Sequence, residues 1–100
     1  DLRRSRGLGD VYKRQTQSKA IKTLKSFYKK SDFVKILRKD SLISTNDVIN
    51  SNNCFISICK SKYKSKIVIL SAIDNLIKGG AGQAVQNLNM KFNFPVKTAL

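Results

Sequence analysis

Three glycines within four positions, Gly79, Gly80 and Gly82, interrupt what is otherwise an amphipathic helix pattern, and they limit what this chain can build more than any other feature. From Leu76 the apolar residues Ile77, Ala81, Ala84, Val85, Leu88 and Phe92 recur at helical spacing, which predicts a helix with one buried face. Each glycine there costs about 1 kcal/mol relative to alanine, so either a side chain is intolerable or some packing offsets the loss. Just upstream, Asp74 or Asn75 can cap the helix start. Two readings stay open. A helix start with bare backbone N–H groups and little bulk suits a phosphate or a polar ring. A tight strand-to-helix turn pressed on another backbone needs the same glycines.

The rest of the chain supplies a small α+β framework in the order α-β-β-β-α. Residues 17–30 read as an amphipathic helix, with Ala20, Ile21, Leu24, Phe27 and Tyr28 inward and lysines outward. After a turn at Ser31-Asp32, Phe33-Val-Lys-Ile-Leu37 is short and β-branched enough for a strand. Residues 38–53 are polar and form a long connection. Cys54-Phe-Ile-Ser-Ile-Cys59 and Lys66-Ile-Val-Ile-Leu-Ser71 read as two paired strands joined around residues 60–65, the second ending directly before Asp74-Asn75.

A chain of 100 residues with net charge +14 invites a nucleic-acid reading, which the composition weakens. Residues 1–15 supply +3 of that charge, and among the remaining basic residues only Arg38 is not lysine. Phosphate- and base-reading faces favour arginine for bidentate contacts, with aromatics for stacking, and neither clusters here. Lysine and asparagine richness fits an AT-rich genome equally well. No apolar run approaches the roughly 18 residues of a membrane span, and no secretory signal is visible, so a cytoplasmic protein without membrane or nucleic-acid partners is expected. Two cysteines and no histidine leave no metal-ligand set, and a disulfide does not suit such a chain.

Ile73-Asp-Asn-Leu-Ile-Lys-Gly-Gly-Ala-Gly-Gln-Ala-Val-Gln-Asn-Leu-Asn89 resembles the C-terminal signature of the N-acetyl-gamma-glutamyl-phosphate reductases. The resemblance continues upstream through Phe33-Val-Lys-Ile-Leu37, Ser44-Thr-Asn-Asp-Val48 and Asn52-Asn-Cys-Phe-Ile56, and downstream to Phe94, Pro95 and Leu100. The family commonly has one glycine followed by alanine or serine where Gly79-Gly80 stands, a departure expected to alter only flexibility. Asp10-Val-Tyr-Lys-Arg-Gln15 in turn resembles the translation of a transposase end sequence carried by sequencing adapters. Residues 1–15 are therefore expected to be non-native, with the true beginning of the chain missing.

The resemblance implies residues 16–74 as the end of a catalytic and dimerisation domain like that of glyceraldehyde-phosphate dehydrogenase. Residues 75–100 would be a helix and tail returning to an NADP-binding domain. It implies NADPH-dependent reduction of N-acetyl-glutamyl phosphate to the semialdehyde, through a cysteine nucleophile and a histidine base, in a homo-oligomer. Neither catalytic group nor the Gly-x-Gly-x-x-Gly unit that would hold the cofactor occurs here. By resemblance they lie upstream, and the fragment alone is expected to be inactive. Cys54 and Cys59 are expected to be half-buried strand residues. The positions carried over to the cofactor site are Asn75 as an amide, Gly82 as a close-approach backbone and Gln86 as a second amide. Each has a bland counterpart: a helix cap, a packing contact and a solvated polar residue. A small basic nucleic-acid-binding module and a stand-alone oligomerisation domain are the alternative readings.

Overall fold

A computed structural model of the chain describes residues 2–63 and 65–100, with side chains from residue 15 onward. The side chains of the adapter-like segment before Gln15 thus lie outside the described residues, as does Lys64 of the basic connection. The elements are α1 (Leu2–Phe27), β1 (Val34–Ile36), a 3-10 turn (Thr45–Asp47), β2 (Cys54–Lys60), β3 (Ile67–Ile73), a π turn (Ile77–Ala81) and α2 (Gly82–Lys91). The α-β-β-β-α order of an α+β fold is the one that the residue pattern predicts.

The sheet is ordered β1-β2-β3. β1 runs parallel to β2 with Val34 opposite Cys54, and β2 runs antiparallel to β3 with Cys54 opposite Ile73 and Lys60 opposite Ile67. A parallel pair cannot be joined by a tight hairpin, and the polar stretch between β1 and β2 supplies the crossover. Its 3-10 turn is held by Asp47, whose Oδ2 accepts the Ser44 N–H at 2.8 Å, and it is anchored by Val48, which is 1% exposed. The central strand carries much of the core: Ser57 and Ile58 of β2 are fully buried, and Phe33 and Val48 are the other buried apolar side chains among the described residues.

α1 packs on β2 and, more lightly, on β1. Its innermost described side chain is a polar one, Gln17, which is 0% exposed. Gln17 Nε2 donates to Asp40 Oδ1 at 2.9 Å and to the Ile58 carbonyl at 3.4 Å. Asp40 sits at φ 61, a left-handed conformation that Asp tolerates better than most residues. From there its N–H reaches the Ile58 carbonyl and its carboxylate accepts the Lys60 N–H at 2.8 Å. One carboxylate thus fastens the helix, the end of β2 and the start of the crossover together.

Two expectations need correction. The helix spans Leu2–Phe27 rather than residues 17–30, and it stops early because residues 29–31 offer nothing apolar to bury. Instead the Ser31 hydroxyl turns the chain by accepting the N–H groups of Phe33 and Val34. Phe27 is not on the buried face. It is 78% exposed and meets Tyr28 edge-on at 4.9 Å.

Truncating Ile58 to alanine in this well-filled centre is expected to cost about 2–5 kcal/mol, measured as a lowered urea midpoint. Asp40 adds a pH dependence. The Lys60 backbone N–H, then the Gln17 amide, hold its carboxyl below the usual aspartate value. Its stabilisation is therefore fully present above about pH 4 and lost as the pH falls through the lowered folded value. An Asp40→Asn variant should show a flatter acid limb in a pH series of thermal melts.

Candidate functional site

The strand-to-helix junction is built on Asp74, the first residue after β3. Asp74 Oδ1 accepts the N–H groups of Leu76 at 2.8 Å and Ile77 at 3.2 Å, while Oδ2 accepts the Asn50 N–H at 2.8 Å. Asp74, and not Asn75, is therefore the cap. The chain next winds more loosely than an α-helix. Gly79 N–H bonds the Asp74 carbonyl at 3.1 Å, Ala81 N–H the Leu76 carbonyl at 3.0 Å and Gly82 N–H the Ile77 carbonyl. These i to i−5 bonds make a single π turn, a form that recurs at functional sites. They also engage several of the amides that a bare helix start would have offered to a phosphate.

Gly82 is buried because there is no room for anything else. A Cβ at this position would lie 2.5 Å from Asn52 Oδ1 and 2.7 Å from the Ile77 carbonyl. At Gly79 the nearest obstacle to a Cβ is the Asn75 side-chain oxygen at 3.1 Å, and Asn75 is exposed and free to shift. The packing explanation of the glycines thus holds at Gly82.

Asn52, 6% exposed, stands against Gly82 and donates from Nδ2 to Gln86 Oε1 at 3.0 Å. Lys78 Nζ donates to the same Gln86 oxygen at 2.7 Å while lying 5.2 Å from the centroid of the buried Phe33 ring. Asn52 Oδ1 is buried and has no hydrogen-bond partner among the described residues. Beside this network a groove of about 300 Å³ opens between Asn50, Asn52, Gly82, Val85 and the tail residues Ala99 and Leu100.

The apolar periodicity misjudges which face of α2 turns inward. Ala81, Ala84, Leu88 and Phe92 are exposed, and Ile77 and Val85 are half-buried. The fully inward positions are Gly82 and Asn89, with Gln86 half-buried on the same stripe, where the helix meets Asn52 and its own tail through hydrogen bonds. Asn89, 2% exposed, donates to the carbonyls of Val96 at 3.1 Å and Thr98 at 2.9 Å. Of the three carried-over positions, Gly82 and Gln86 meet around Asn52. Asn75 lies on the exposed side of the π turn, bonded to neither. Asn52, Lys78 and Asn89 escaped the sequence reading. The 78, 82, 86, 89 spacing is the signal that marks Lys78 and Asn89, had polar residues been allowed inward, whereas nothing local marks Asn52.

Cys54 and Cys59 are free and half-buried, Cys54 Sγ 3.5 Å from Ser71 Oγ and Cys59 Sγ 3.6 Å from the Ser41 carbonyl. Among the described residues no cluster of His, Cys, Asp or Glu could hold a metal ion, and no helix is long and apolar enough to cross a membrane. In the loop between β2 and β3, Lys62 and Lys66 place their ammonium groups 5.4 and 5.5 Å from the Tyr63 ring centroid, a basic-aromatic grouping that the composition does not suggest.

Gly82→Ala should destabilise by about 1–3 kcal/mol despite alanine's better helix propensity, whereas Gly79→Ala should be near neutral or stabilising. Parallel urea titrations of the two variants measure this. Equal effects would show that the Asn52 contact does not control the position.

The profile of the semialdehyde dehydrogenase, dimerisation domain, matches residues 9–75. Similar proteins include a probable chloroplastic N-acetyl-gamma-glutamyl-phosphate reductase of Oryza sativa subsp. japonica, 44% identical over 77% of this chain and 19% of the relative. The N-acetyl-gamma-glutamyl-phosphate reductase of Halothermothrix orenii is 39% identical over 88% of this chain and 26% of its own length. That of Clostridium botulinum strain Eklund 17B is 49% identical over 69% of this chain and 20% of its own. The chain therefore spans only about a fifth to a quarter of the length of these relatives. With two thirds of its residues matched by that profile and a sheet, crossover and glycine turn in the expected order, the chain belongs to the semialdehyde dehydrogenase dimerisation-domain family.

Proposed function

We propose that the chain is the C-terminal part of an NADPH-dependent reductase that converts N-acetyl-glutamyl phosphate to N-acetyl-glutamate semialdehyde in arginine biosynthesis. The observation that carries this reading is the 39–49% identity to reductases of that name, confined to one short stretch of each. Residues 16–74 then end the catalytic and dimerisation domain, residues 75–100 return toward the cofactor domain, and residues 1–15 are adapter-derived. Dimerisation in the name of the matched family supports a homo-oligomer, and the cytoplasm is the proposed compartment, although the Oryza sativa relative is chloroplastic.

Within this reading the junction borders the nicotinamide. Asn75 presents an exposed amide beside Gly79, where no side chain intervenes, and Gln86 keeps Nε2 unengaged among the described residues. Both amides fit the carboxamide of a nicotinamide ring. NADPH, when bound, supplies hydride. Asn75 and Gln86 would orient the ring, and Gly82 would act through its backbone, keeping α2 close enough to Asn52 for Gln86 to be held.

Grafting residues 16–100 in place of the corresponding end of the Halothermothrix orenii enzyme tests the proposal. NADPH oxidation dependent on the acyl phosphate is expected within about tenfold of the parent, with none from the chain alone. A graft that folds and assembles but turns over no NADPH would defeat the reading.

A further inference from the structure

We infer that Lys78 is a positioning residue that fixes the direction of an amide relay, so that Gln86 meets a ligand only as an N–H donor, toward an acceptor oxygen. The argument rests on what a lysine cannot do. An ammonium group has donors and no lone pair, so the Gln86 atom 2.7 Å from Lys78 Nζ has to be the side-chain oxygen. That oxygen also faces Asn52 at 3.0 Å, so the Asn52 atom opposite it has to be the nitrogen. Both amide orientations are thereby decided by one cation.

The consequence appears at the far end of the relay. With Nδ2 committed to Gln86, Asn52 Oδ1 turns to the open side of Gly82 and is left without a partner among the described residues. Without the lysine, both amides could rotate. Gln86 Nε2 would then donate to Asn52 Oδ1, an equally good bond, and Gln86 would present its oxygen outward instead. The orientation is a choice between opposite polarities, and Lys78 makes it. The ammonium is itself held in place, 5.2 Å from the centroid of Phe33, a ring only 7% exposed.

With its oxygen occupied twice, Gln86 offers outside groups two N–H donors and excludes donors. A carbonyl or phosphate oxygen fits; an amino group does not. This ligand half rests on the reductase reading, in which a nicotinamide carboxamide and an acyl phosphate are the two candidates. The polarity half belongs to the chain itself.

Side-chain amide exchange in the 15N-labelled 100-residue chain tests the polarity. The Asn52 amide should be protected and that of Gln86 rapidly exchanging. In Lys78→Met, which keeps the stem over Phe33, the two orientations should interchange, so that Asn52 loses part of its protection and Gln86 gains about the same share. Lys78→Arg, again donor-only, should retain the original pattern. Unchanged exchange in Lys78→Met, or transferred protection in Lys78→Arg, overturns the assignment.

Gln86→Glu tests the ligand half in the graft, because glutamate still accepts from Lys78 and Asn52 but has no donor left. A rise of about tenfold or more in KM for NADPH identifies the carboxamide, and the same rise for the acyl phosphate identifies the phosphate. No rise in either overturns the donor role. A wild-type graft without activity defeats the reductase reading and the ligand half with it, while the exchange result stands.

Discussion

The Asp74 carboxylate is the constraint on which the C-terminal half depends. It takes N–H groups from Asn50 in the crossover and from Leu76 and Ile77 in the turn, joining segments far apart in sequence. These three donors, led by Asn50 and Leu76, hold its carboxyl below the usual aspartate value. Because the crossover and the turn share this one anchor, Asn52 is delivered beside Gly82 without any strand or helix between them. The buried contact at Gly82 then leaves no space for a side chain, and the glycine follows from the geometry.

A second carboxylate plays the matching part at the other end of the sheet. Asp40 joins α1 to β2 through Gln17 and the Lys60 N–H. Each junction also holds a buried side-chain amide: Gln17 bonds Asp40 itself, whereas Asn52, two residues beyond the Asn50 that Asp74 binds, bonds Gln86. Each amide spends its nitrogen on a good bond and leaves its buried oxygen without a partner among the described residues.

Polar contacts dominate because the apolar core is small. Among the described residues, fully or nearly fully buried apolar side chains are confined to Phe33, Val48 and Ile58, while Leu88 of α2, Phe92 just after it and Ile69 of β3 are more than half exposed. The last helix is therefore set by the close approach of Asn52 to Gly82 and by the hydrogen bonds of Gln86 and Asn89 more than by its apolar stripe. That arrangement leaves the Gln86 oxygen facing both Asn52 and Lys78.

Strand positions and element order were legible because alternation and turn residues are local: β-branched runs at Val34, Ile56 and Ile67 announce strands wherever they pack. The glycine turn was legible too, since no other residue type explains three helix-weakening positions in a row of four. Helix faces were not. Periodicity assumes that apolar residues turn inward, and in α2 a buried asparagine from another segment outweighed them. The sequence by itself determined the α-β-β-β-α order, the turn after β3 and the family resemblance, all encoded in neighbours. Only the tertiary structure decided that Asp74 caps, that Gly82 is demanded by Asn52 and that Lys78 orients Gln86, because each depends on side chains brought together across the fold.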